Sequence, residues 1–198
     1  MPSLADDAAP GTALESTFQE LRARLSQPAT LNPAQSDPIF YFVYPPEHML
    51  TVKRRLPAWM GTLRNDGLQP ERVSLADLVR EIIDASGRWE AWCELESEAE
   101  PEELNHAIND VLTQRDALIG RVAERLARGG DQTVLLLTEA ELLHPWFRTR
   151  AIESALTGRV PHPTIIFYPG RREGQYGLRF LGYYPEDGNY RSTILGGL

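Results

Sequence analysis

The sequence predicts an α/β fold in three layers, a mostly parallel sheet flanked by helices on both faces. Three observations predict it. The runs TVLLLT (133–138) and PTIIFYPG (163–170) are almost continuously apolar rather than alternating, as strands covered on both sides must be. Between them ELLHPWFRTRAIESALTG is long enough for a crossover helix, so the stretch reads as one βαβ unit. A third run, IFYFVY (39–44), is aromatic and β-branched and passes directly into a helical pattern.

Taken in order, Leu14, Phe18, Leu21 and Leu25 recur at helical spacing with Glu and Arg opposite, which predicts a short amphipathic helix. QPATLNPAQSDP follows, and its three prolines mark a linker. Residues 1–35 are therefore read as tail, helix and Pro-rich linker, and residues 36–198 as a single α/β domain. After IFYFVY, Pro45-Pro46 ends the strand and EHMLTVKRRLPAWMGTLRNDG is helical, with Pro57 expected to kink it and Gly67 to end it. RVSL (72–75) is a short strand, and Asp77 is placed to cap DLVREIIDAS. Leu104, Ile108, Val111, Leu112, Leu118, Val122 and Leu126 trace one long helix that Gly129-Gly130 terminates. In the βαβ unit Pro145 is expected to start the main helix. Beyond it, apolar runs near 178–183 and 190–195 flank PEDGN, predicting a C-terminal antiparallel edge hairpin.

With 198 residues, 42% apolar and 24% charged, the chain can bury one sizeable core. The net charge of −8 is unevenly spread, with 13 Arg/Lys against 24 Asp/Glu in residues 1–144 and 7 against 4 thereafter. An acidic whole argues against nonspecific nucleic-acid binding as the main task, because neutralising phosphates needs a basic surface. The C-terminal part is locally basic. No apolar run approaches the roughly 18 residues that span a bilayer, and the acidic N-terminus is the reverse of a secretory signal. The single Cys93 fits a reducing compartment, so a cytoplasmic location without membrane attachment is the expectation.

A strand followed by a helix, and a later strand ending in TVLLLTEAE, invites comparison with a nucleotide-triphosphatase core. A phosphate cradle needs converging backbone N–H groups from glycines, then a Lys and a Ser or Thr at the helix start. The turn YPPEHMLTVKRR has no glycine, its prolines lack N–H groups, and the sole lysine, Lys53, falls inside the helix. Glu139 and Glu141 could be catalytic or metal-binding, but acids at a helix start ordinarily serve its dipole. No histidine or cysteine has a second ligand at metal spacing, and Cys93 has acidic neighbours that oppose a thiolate. No metal, cofactor or catalytic residue is expected, and the chain is read as non-enzymatic.

His144 with Trp146, Phe147 and Arg148 is either a packed core cluster or a docking surface anchored by Trp and Arg. RREGQYG reads as a basic loop in which Arg171 and Arg172 could meet DNA phosphates while Tyr168 or Tyr176 stacks, or as a solvated turn. The glutamates of CELESEAEPEE suit a solvated linker face or a basic partner.

The pieces LLHPWFR, PTIIFYPG, LRFLG and NYR, within residues 36–198, resemble the BrxB family of BREX bacteriophage-exclusion systems. The resemblance implies a core like that of a nucleotide-triphosphatase without its phosphate loop. It further implies a cytoplasmic, non-catalytic adaptor or scaffold in an antiviral phage-resistance complex, acting through protein-protein interaction. Its partners would be other BREX proteins: a phosphatase-like protein, a large ATPase or a DNA methyltransferase. Carried over residue by residue, it marks His144, Phe147, Arg148, Tyr168, Pro169, Gly170, Arg179, Asn189, Tyr190 and Arg191 as a partner-binding or structural signature. The alternative is a DNA-binding or DNA-processing subunit of the same system that uses the basic C-terminal face.

Overall fold

The computed structural model describes residues 10–27, 38–174, 177–188, 190 and 192–197. Among them six strands form one sheet: β1 (Ile39–Tyr44), β2 (Gln69–Ser74), β3 (Thr133–Thr138), β4 (Thr164–Glu173), β5 (Gly177–Phe180) and β6 (Thr193–Gly196). Their order is β2-β3-β4-β1-β6, parallel throughout, with β5 antiparallel on the extended end of β4. Helices α1 (Pro10–Leu25) and α2 (Met49–Asn65) cover one face. On the other lie α3 (Leu75–Ser86), α4 (Trp89–Leu95), α5 (Pro101–Thr113), α6 (Ala117–Leu126) and α7 (Thr149–Leu156). The α/β expectation therefore holds, and no helix among the described residues is long and apolar enough to cross a membrane.

Central position explains the uniform apolarity of β1. Phe40, Phe42 and Tyr44 point into the core under α1 and α2, while Ile39, Tyr41 and Val43 point into the core on the opposite face. Either alternation would leave one face polar. β2, at the edge, tolerates Pro70 because only one side of it needs ladder donors. The crossover from β1 to β2 passes over one face and that from β2 to β3 returns over the other, as two crossovers of one hand in opposite directions require.

The helix of residues 10–25 packs on its own chain, with Leu14, Phe18, Leu21 and Leu25 all buried against α2, β1 and β6. Arg22 fixes it further, through a two-pronged pairing with Asp66 at 2.7 Å for both bonds.

Four expectations are corrected. The C-terminal hairpin does not form: β5 lies on β4, whereas β6 runs parallel to β1 and completes the other edge. Asp187 bridges to Leu178, and Ser192 donates its N–H and hydroxyl to the buried Glu153 carboxylate, which carries the chain to the otherwise open side of β1. The long helix is two, because Arg115 and Asp116 adopt left-handed φ of 53° and 55° between α5 and α6. A straight helix over that span would run about 39 Å, far past strands of roughly 20 Å, and could not keep both apolar faces on the sheet. Pro145 does not begin the main helix. A 3-10 turn over Ala140–Leu143 is followed by extended His144, a cis His144-Pro145 bond and an irregular stretch before α7 at Thr149. Finally Ser74, not Asp77, caps α3, its hydroxyl accepting the Asp77 N–H at 3.0 Å.

Candidate functional site

Because α2 leaves β1 toward one face while the segments after β2 and β3 leave toward the other, the carboxyl ends of these strands face a crevice. The turn from β1 closes as a 3-10 turn, Pro46–His48, preceded by Pro45. Lys53, on the second turn of α2, reaches 3.3 Å from Glu139 and 3.1 Å from Glu141. Glu139 also takes Arg72 at 2.8 Å and the Ser74 hydroxyl, and Arg72 holds Thr138 at 3.1 Å. Glu139 is thus neither a dipole partner nor a lone carboxylate. It sits at φ 64° as the hub of an ion network, although a side chain disfavours that conformation. Burial pushes its pKa upward, but the Ser74 hydrogen bond and the Lys53 ammonium outweigh this and hold the carboxyl below its ordinary value. Among the described residues no His, Cys, Asp and Glu group has the arrangement of a metal site.

Five of the signature residues converge at the end of β4. His144 Nδ1 meets the Tyr184 hydroxyl at 2.7 Å, and the Arg148 guanidinium lies 5.4 Å above the Tyr184 ring. Burial, and Arg148 nearby, lower the pKa of His144. Phe147, Arg148, Tyr168 and Tyr190 border one tight recess beside Phe180. Tyr168 and Tyr190 are buried, packing edge-on against Tyr41, and Pro169 and Gly170 are buried too. These four build the core rather than a surface. At Gly170 a Cβ would fall 2.5 Å from the Arg179 carbonyl oxygen and 2.6 Å from the Tyr168 ring, so the ribbon of β4 and β5 can close only on glycine. Arg179 stands opposite Arg171 across that ribbon. Arg171 pairs with Glu47 and Arg179 with Glu173, each at 2.8 Å, and Arg172 lies on the same ribbon with its Nε donating to the Gly174 carbonyl. Asn189, Arg191 and Tyr176 lie outside the described residues.

The remaining member of the aromatic cluster, Trp146, which with His144 was read as a possible docking surface, lines a groove whose other residues the sequence reading missed. Trp89 and Leu142 are 55% and 49% exposed and line one groove with Val79 and Ile83 of α3, His144 and Trp146. Its volume is about 690 Å³. Trp146 is held in place, its indole N–H on Asn105 at 2.9 Å and its carbonyl accepting the Asn109 amide. The helices beside it, residues 89–114, carry eight acidic residues and no Lys or Arg. Exposed apolar side chains gathered in one groove are the usual mark of an interaction site. The signal in the sequence was Trp89 and Trp92 within an acidic stretch, only one of which the fold can bury.

Comparison with protein families finds a match over residues 71–195 to the family described as "BREX protein BrxB". Comparisons with the curated proteins and with the solved structures found no match. The matched span runs from β2 into β6 and takes in the groove, the aromatic cluster and Glu139, while Lys53 and β1 precede it. Since it covers well over half of the chain, this protein belongs to the BrxB family of the BREX phage-defence systems.

Proposed function

We propose that the protein is a non-catalytic adaptor of a BREX complex, and that it docks another BREX protein in the groove between α3, α4 and the segment before α7. The observation that carries this reading is the pairing of exposed Trp89 and Leu142 across a concave apolar surface with the anchored Trp146 on its wall. Aromatic anchors in a concave site are where interfaces concentrate their energy. The acidic flank of residues 89–114 selects a partner segment that is apolar on one side and basic around it. The non-catalytic part rests on the first strand-helix turn, where Pro45 and Pro46 offer no N–H groups to a phosphate and Lys53 is held by Glu139 and Glu141.

Co-expression of the chain with each of the other BREX proteins tests it. One of them should co-purify, with weaker association at high salt, and Trp89→Ala with Leu142→Ala should disrupt the complex while leaving the fold intact. Association with none of them, or association indifferent to both substitutions, would overturn the reading. DNA binding through Arg171, Arg172 and Arg179 has the shared ribbon in its favour, but Glu47 and Glu173 offset two of those charges. Filter binding to single- and double-stranded DNA at low salt decides that alternative.

A further inference from the structure

Under α2, at the carboxyl ends of β1 and β3 and beside Phe167 of β4, lies a second concavity of about 360 Å³, separate from the docking groove. Phe167, Leu56 and Met60 contribute an apolar lining, and Lys53, Arg64 and Arg72 are the cations of its wall. The acids nearby each hold a cation, although Glu141 Oε2 is buried without a partner among the described residues. Glu139 is shared by Lys53, Arg72 and Ser74, and Glu141 is bound to Lys53. Three cations face two carboxylates, so one positive charge is in surplus, and it falls to Arg64, which makes no ion pair with a described residue.

An exposed arginine near a helix end is ordinarily just solvated. Here it borders an aromatic-lined hollow at the position where open α/β sheets hold their ligands. The hub of that hollow, Glu139, keeps a left-handed backbone that costs a non-glycine residue energy and is held by its bonds to Lys53, Arg72 and Ser74. The volume lies near the lower limit of small-molecule pockets, enough for one or two rings and too little for a dinucleotide. A single surplus charge matches a monoanion such as a carboxylate.

We propose that this cleft binds a small organic carboxylate, its head at the Arg64 side of the wall and its flat apolar body against Phe167, Leu56 and Met60. The test titrates 2-naphthoate and the neutral 2-naphthamide into the full-length protein, following the Met60 methyl resonance. The acid should shift Met60 with a dissociation constant in the millimolar range or below. It should bind about two- to fivefold more tightly than the amide, the preference an exposed ion pair supplies, and Arg64→Gln should abolish that preference. Equal binding of acid and amide, an acid preference that survives Arg64→Gln, or no Met60 shift with either compound at about 5 mM would each overturn the proposal.

Discussion

Phe18 of α1 lies flat against Trp59 of α2, with ring centroids 5.0 Å apart and planes 16° from parallel. Trp59 in turn stacks toward Phe167 of β4, so the first helix is joined to the central sheet through aromatic layers. Phe18→Ala should therefore behave as a core truncation and cost about 3–5 kcal/mol in chemical denaturation. A cost near zero would show that α1 is an appendage.

The matched family segment, residues 71–195, should not fold by itself. It lacks β1, the strand that pairs with both β4 and β6, and without it two strands lose a neighbour in the middle of the sheet. A fragment of residues 71–195 should be aggregated or molten, with near-ultraviolet circular dichroism absent, whereas a fragment beginning at residue 10 should be cooperative.

At Gly170 even one methyl group is too many. The nearest obstacles are the Arg179 carbonyl and the Tyr168 ring, a backbone atom and a buried side chain, neither free to move. Gly170→Ala should destabilise by about 1–3 kcal/mol in urea denaturation.

Trp89→Ala separates surface from core. Because the indole is more than half exposed, thermal stability should change by no more than about 0.5 kcal/mol. Affinity for the docked BREX protein, measured by calorimetry, should fall by about 2 kcal/mol or more, roughly thirtyfold.

Glu139 should contribute to the acid limb of stability. Its folded-state pKa is depressed below 4.5, so the stability it contributes is present at neutral pH and is lost as pH falls through that region. Lys53→Met removes a counter-charge and should move the loss to higher pH, visible as a raised carboxyl pKa in carbon-13 spectra. The effect should shrink in high salt, since the lysine is half exposed.

Strands β1, β3 and β4 were legible because double-sided burial leaves an unmistakable apolar run. The hairpin was misjudged for a related reason: turn chemistry at Asp187-Gly188 is local, whereas the destination of β6 is fixed by Glu153 and the open side of β1, far away in sequence. Between Leu112 and Leu118 the helical positions fall on Gln114, Arg115 and Asp116, a polar gap that marked the bend between α5 and α6 and was read through. Of the signature residues, Tyr168 and Tyr190 proved to be core, since a motif cannot distinguish packing from contact. Trp89 stayed hidden because its acidic neighbours read as a solvated face, and Lys53 looked misplaced because its carboxylate partners follow a strand much later in the chain.

The central placement of β1 has a consequence for biosynthesis. Its hexapeptide IFYFVY emerges from the ribosome about 120 residues before its first ladder partner, Thr164 onward, and still earlier than Thr193–Gly196. For most of translation this wholly apolar strand of the nascent chain lacks both of its ladder partners. Expression yield should accordingly depend on chaperone supply and growth temperature more than on the stability of the finished protein.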